Sequence, residues 1–161
     1  MNRLHLVLVI ALGVPAVWQM PPAAGAEPQE IVLWPAGVPE PRVPVEPAER
    51  VEKKPDEITR RANVSNPRLA VYDIPRTEPA TLRSAVIVVP GGGFNVLADE
   101  HEGSAACRWL NEQGFVAFLV LHRVPTAKMP VPNAGPVQDV QKAVQEVRRR
   151  AAEFHLDPAK I

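Results

Sequence analysis

Two unbroken apolar runs divide the chain. Residues 85–89 (AVIVV) hold five apolar side chains, four of them β-branched, and pass directly into Pro90 and three glycines. Residues 115–121 (FVAFLVL) repeat the pattern without a polar break. Runs of this kind suit strands buried on both faces, as a parallel sheet requires. Between them, Ala106, Trp109 and Leu110 fall at helical spacing, and Gly114 stands where a left-handed C′ residue belongs. Asp99, Glu100 and Glu102 crowd the start of that helix, where carboxylates complement its dipole. Strand, helix and strand at this spacing predict a βαβ crossover.

The longest periodic segment follows a proline-broken loop over 124–136. Val137, Val140, Val144, Val147, Ala151 and Phe154 recur every three or four residues, with Lys142, Glu146, Arg148 and Arg150 opposite, so a helix is predicted there. Asp157-Pro158 closes it, and Lys160-Ile161 reads as the approach to another strand. Upstream, residues 58–64 and 68–74 each alternate in polarity around Ser65-Asn66-Pro67, which predicts a β-hairpin. Ile31 to Trp34 is a short apolar patch, read either as an edge strand or as a packed arm.

Composition sharpens this outline. The 161 residues include 19 prolines, about double ordinary usage, concentrated in the first half and around 125–136. Residues 27–57 therefore read as an extended arm, with the mixed charges of 46–61 as a solvated face. Residues 58–161 read as a partial α/β domain. Eighteen basic and eighteen acidic residues cancel, so charge favours neither nucleic acid nor an anionic membrane as a partner. A single cysteine, Cys107, excludes an internal disulfide and a cysteine-based zinc cage. Residues 1–26 read as an export signal: Arg3 precedes a mostly apolar stretch, and Ala24-Gly25-Ala26 offers small residues for cleavage. The stretch is shorter than the ~20 residues of a membrane span and is interrupted by Pro15. The expected location is secreted or periplasmic, with no membrane association after leader removal.

The glycine loop after residue 89 carries the candidate chemistry. A dinucleotide site needs G-x-G-x-x-G, but Val96 occupies the third-glycine position. A phosphate-binding P-loop needs G-K-[ST], which is missing. An oxyanion hole remains, in which loop amides stabilise a tetrahedral intermediate. A plain strand-to-helix turn with no ligand is the bland alternative. No cofactor or metal is called for: His101, His122 and His155 show no ligand-like spacing, and surface or packing roles suit them.

With these residues on the page, a family resemblance emerges. ITRRANVSNPRLAVYDIP, AVIVVPGGGFNVLADEHEGSAACRWLNEQGFVAFLVLHR and PVQDVQKAVQEVRRRAAEFHLDPAKI together resemble secreted bacterial α/β-hydrolases of the carbohydrate-esterase type. These are similar to acetyl-xylan and feruloyl esterases and are often labelled xylanase-like. The resemblance implies the N-terminal half of an α/β-hydrolase fold, with a β-hairpin followed by strand, helix, strand and helix around a parallel sheet. It implies that Gly92 and Gly93 donate the oxyanion-hole amides, that Phe94 meets substrate, and that Gly91 and Asp139 are structural, Asp139 bracing loops. Family members often carry tyrosine before the arginine that follows the fourth strand; here His122 precedes Arg123.

The family continues from D-P-x-x-I into a strand and a G-x-S-x-G nucleophile elbow, with the acid and histidine further on. Here Ser65, Ser84 and Ser104 are the only serines, and none lies in that motif. The resemblance thus implies a fragment of a serine ester hydrolase acting on carbohydrate-linked or other small esters. Its partner would be the missing C-terminal half of the domain, and the strand at 85–89 would lack one neighbour. The competing reading is a non-catalytic half-domain, an assembly piece or the product of a broken reading frame.

Overall fold

The structure, a computed structural model, describes residues 28–75 and 81–161. The export signal expected over residues 1–26 lies outside the described residues. A four-stranded sheet organises the rest, built from β1 (Gln29–Val32), β4 (Arg68–Tyr72), β5 (Ala85–Val88) and β6 (Val116–Leu121). Its order is β1-β4-β6-β5. β4 runs antiparallel to both β1 and β6, and β5 runs parallel to β6. A separate antiparallel pair joins β2 (Arg50–Lys53) to β3 (Thr59–Ala62).

β6 is continuous in apolar residues because both of its faces are covered. Val116, Phe118 and Val120 face α2 (Ala134–Arg149), where they meet Ala143, Val147 and, past the helix end, Phe154. Phe118 and Phe154 pack edge to face with centroids 5.3 Å apart. Ala117, Leu119 and Leu121 face the other way, toward Cys107 and Leu110 of α1 (Ala105–Glu112). The expected βαβ crossover is therefore present as β5, α1 and β6.

Five expectations change in detail. A hairpin does precede the crossover, but residues 58–64 do not pair with 68–74. β3 instead folds back on β2, through a turn closed by Lys54 N–H on the Ile58 carbonyl. The reason is polarity: β4 presents Leu69, Ala70 and Val71 to both layers and is drawn inside the sheet, whereas β3 carries Arg60 and Arg61 and cannot follow. Part of the expected arm is accordingly structured, since β1 and β2 both fall within 27–57. In α1, Cys107 points inward, which leaves Trp109, about 200° further round, 58% exposed. In α2 the buried face runs through Asp139, Ala143 and Val147, while Val137 is 45% exposed.

The fifth change concerns β5, which is not buried on both faces. It lies at the sheet edge, Val86 to Val88 are half-buried, and Val89 is 46% exposed. Its outer side is only partly occupied. Arg83 N–H donates to the His155 carbonyl, Asp157 N–H donates to the Arg83 carbonyl, and Ala85 N–H donates to the Lys160 carbonyl, each at 2.9 Å. Residues 155–160 thus begin a parallel neighbour for β5. No strand among the described residues continues it alongside Val86 to Val88.

Ion pairs fasten the polar hairpin to the sheet. Arg61 Nε donates to Asp99 at 2.9 Å, and Arg61 and Arg68 share Glu49. Burial alone raises the Glu49 carboxyl, but hydrogen bonds from Arg68 and Arg61 outweigh it and hold the group below its ordinary range. The proline-rich segment is held differently. Arg123, two residues past β6, is fully buried together with Asp139. Its Nη1 donates to the carbonyls of Pro39 and Pro41 at 2.6 and 2.7 Å. Its Nη2 reaches Gly135 and Gln138, and its Nε and backbone N–H reach Asp139. Trp34 Nε1 completes the cluster with a 2.8 Å bond to Asp139.

A buried pair broken on one side leaves an uncompensated charge, at a cost of ~3–5 kcal/mol, whereas exposed pairs contribute ~0–1 kcal/mol. Arg123→Met is therefore expected to abolish or sharply lower the urea unfolding midpoint. Arg149→Ala, which removes a largely exposed partner of Glu146, is expected to leave the midpoint nearly unchanged. Equal midpoints for the two variants would contradict the assignment.

Candidate active site

The loop that leaves β5 is built by backbone geometry more than by side chains. Pro90 ends the strand because it has no N–H for the ladder. Gly92, Gly93 and Phe94 then take φ of 140°, 61° and 60°, three successive residues in positive-φ backbone. For Phe94 this conformation costs roughly 1–2 kcal/mol, so the surroundings must enforce it. They do: the Phe94 carbonyl accepts Thr126 N–H at 2.7 Å and Ala127 N–H at 3.1 Å.

The base of the loop is closed on itself. Ala98 N–H donates to the Gly91 carbonyl, and Asn95 and Val96 N–H donate to the Gly92 carbonyl. Gly91 N–H donates to Glu102 Oε2 at 2.7 Å. The N–H groups of Gly92, Gly93 and Phe94 donate to no acceptor among the described residues. All three residues are exposed. Successive free amides on a left-handed turn form a concavity suited to an anion.

Beside these amides lies a cavity of about 570 Å³. The loop and Val89 bound it on one side, Val137 and Val140 of α2 on another, and His122 at its floor. The exposed Val137 thus belongs to a cavity wall. His122 is buried, with Nδ1 3.2 Å from the Arg123 carbonyl and Nε2 3.4 Å from the Pro90 carbonyl. The imidazole therefore spans the ends of β5 and β6.

The structure brings Gly91, Gly92, Gly93, Phe94 and His122 together and leaves the other candidates elsewhere. Asp139 sits on the inner face of α2 in its pair with Arg123, away from the free amides. Ser104 faces a different groove, beside Tyr72 and Arg108. His101 lies in a polar groove near Asp56 and Glu57, and neither Ser65 nor Ser84 lines the cavity. Burial pushes the Cys107 thiol up to about 12, which leaves it protonated and poorly nucleophilic. No group of three metal-ligating side chains occurs among the described residues. Sequence reasoning missed Glu102 as a partner of the loop and His122 as its neighbour. Glu102 had an adequate explanation in the helix dipole, and its eleven-residue separation from Gly91 carries no motif.

The two central glycines differ in what a side chain would meet. A Cβ at Gly92 would lie 2.0 Å from the Val96 carbonyl oxygen, whereas at Gly93 its nearest neighbour is 4.0 Å away. Gly93→Ala is expected to cost only the left-handed backbone penalty, ~1–2 kcal/mol. Gly92→Ala adds a backbone clash and should exceed the ~1–3 kcal/mol typical of overpacking. Thermal unfolding of both variants checks the order; Gly93→Ala being the worse would contradict the loop geometry.

No protein-family model matches the chain. It is 38% identical over 74 residues, 46% of this chain and 15% of the relative, to an acetylxylan esterase of Xylanibacter ruminicola. It is 32% identical over 80 residues, 49% of this chain and 12% of the relative, to endo-1,4-beta-xylanase B of Butyrivibrio fibrisolvens. Among solved structures, it is similar to an acetyl ester-xyloside bifunctional hydrolase from Caldicellulosiruptor lactoaceticus, with a TM-score of 0.59 and 26% identity. That match covers 86% of this chain and 43% of the other. A propionate-bound esterase from Thermogutta terrifontis matches with a TM-score of 0.50 and 30% identity, over 73% of this chain and 41% of the other. The chain spans less than half the length of each of these proteins. In fold, and in sequence over about half its length, the chain is similar to α/β-hydrolase esterases.

Proposed function

We propose that this chain supplies the oxyanion-binding part of an exported serine ester hydrolase acting on carbohydrate-linked or other small esters. The observation that carries the reading is the set of open amides at Gly92 and Gly93, placed at the carboxyl tip of a sheet strand, where open α/β sheets bind ligands. A serine oxygen attacking an ester carbonyl drives its π electrons onto the carbonyl oxygen. Two preorganised N–H donors stabilise that charge, each by a factor on the order of 10²–10³ in turnover. Collapse of the intermediate returns the electron pair and expels the alcohol, with a histidine moving the proton.

The apolar wall formed by Val89, Phe94, Val137 and Val140 suits a short acyl chain better than a sugar ring. The names of the relatives, an acetylxylan esterase and a xylanase, support an acetylated carbohydrate as substrate class. The leader read over 1–26 supports action outside the cytoplasm, and no helix among the described residues is long and apolar enough to cross a membrane. The nucleophile belongs to sequence that would add a strand beside β5, where residues 155–160 already begin parallel pairing.

Hydrolysis of p-nitrophenyl acetate tests the reading. Loss of the serine nucleophile costs roughly 10⁶ in turnover, so the 161-residue chain is expected to match buffer. A protein translated onward past Ile161 should turn over the ester and lose that activity to a serine-reactive phosphonate. Phosphonate-sensitive turnover by the 161-residue chain, or none in the extended protein, would contradict it.

A further inference from the structure

We infer that Glu102 is a positioning residue for the glycine loop: it withdraws the Gly91 amide and so leaves an anion cradle made only of the next three. This deepens the proposed function and rests on it. Glu102 sits in a π-helical turn, Asp99–Ser104, immediately before α1. Wide turns of this kind recur at functional sites. Here the Glu102 carboxylate accepts Gly91 N–H at 2.7 Å. The turn's lead-in also holds the other end of the same residue, through Ala98 N–H on the Gly91 carbonyl at 2.9 Å. Both polar groups of Gly91 are therefore fixed to one short helical segment, and the amides of Gly92, Gly93 and Phe94 follow from a clamped base.

The identity of residue 91 has the same cause. Its backbone is outside the left-handed region, unlike that of Gly92 and Gly93, so nothing in its own conformation requires glycine. What a side chain there would disturb is the carboxylate: a Cβ would lie 2.6 Å from Glu102 Oε2, the far end of a side chain that would swing away and release the amide. The three glycines thus serve separate ends. Gly93 is glycine for its backbone angle, Gly92 for its angle and for the Val96 carbonyl oxygen packed against it, and Gly91 leaves room for a carboxylate to reach its amide.

Amide exchange and proton shifts in the 161-residue chain, read by NMR, test this without any turnover. They therefore stand or fall separately from ester hydrolysis. A hydrogen bond to a charged acceptor slows exchange by about tenfold or more. Gly91 should be protected by at least that factor relative to Gly92, Gly93 and Phe94. Glu102→Ala should erase the protection and shift the Gly91 amide proton upfield, and Glu102→Gln, which keeps an acceptor oxygen, should restore part of both. Adding Gly91→Ala to the Glu102→Ala chain should lower its melting temperature less than adding it to the wild-type chain. Gly91 exchanging as fast as its three successors, or a Gly91 resonance indifferent to Glu102→Ala, would overturn the inference.

Discussion

A guanidinium with no solvent contact holds this structure to one arrangement. Burying a charge is unfavourable unless its partners are complete and well placed, and Arg123 has a complete set. Asp139 meets it from α2, Pro39 and Pro41 from the proline-rich segment, and Gly135 and Gln138 from the start of the helix. A proline-rich segment makes few ladder bonds of its own, so its carbonyls need external donors. Arg123 supplies them. One side chain thereby aligns the end of β6, the beginning of α2 and the path of residues 39–41.

That alignment reaches the glycine loop through the neighbouring residues. His122 directs Nε2 toward the Pro90 carbonyl, and Thr126 and Ala127 take the Phe94 carbonyl. The segment after β6 is thus fixed to the core by Arg123 and in turn fixes both ends of the loop. Strain at Phe94 is sustained by this second attachment. A positive φ at a bulky residue persists only where the surroundings over-determine it, and here it belongs to a loop that borders the cavity and carries three amides with no acceptor among the described residues. Donors held in place before charge develops need no reorganisation as it does.

The sequence made some of this plain and hid the rest for identifiable reasons. β5, β6 and α2 were legible as elements from continuous apolar runs and a 3.6-residue period, but burial on both faces held for β6 and not for β5. The loop was legible because proline ends a strand and the glycines after it admit the positive φ that a tight exposed turn uses. The hairpin was misplaced because alternation in residues 58–64 and 68–74 shows that each is extended but not which strand it joins. Only the distribution of Arg60 and Arg61 against Leu69 and Val71 separates them, and that preference acts through tertiary burial. Arg123, which pairs with the buried Asp139, had no local signal, since a lone arginine after a strand usually lies at the surface. The Glu102 contact is equally non-local. Val137 fell into a periodic stripe yet faces a cavity, because period alone cannot distinguish a packed face from one beside an unfilled sheet edge.

The central claim is that the amides of Gly92 and Gly93 stand ready to hold negative charge. A crystal structure of the protein extended past Ile161, with a phosphonate on its nucleophilic serine, tests it most directly. The account predicts a phosphonyl oxygen within about 2.7–3.1 Å of the backbone nitrogens of Gly92 and Gly93. A phosphonyl oxygen held by other donors, with those two amides turned into the protein or toward open solvent, would contradict it.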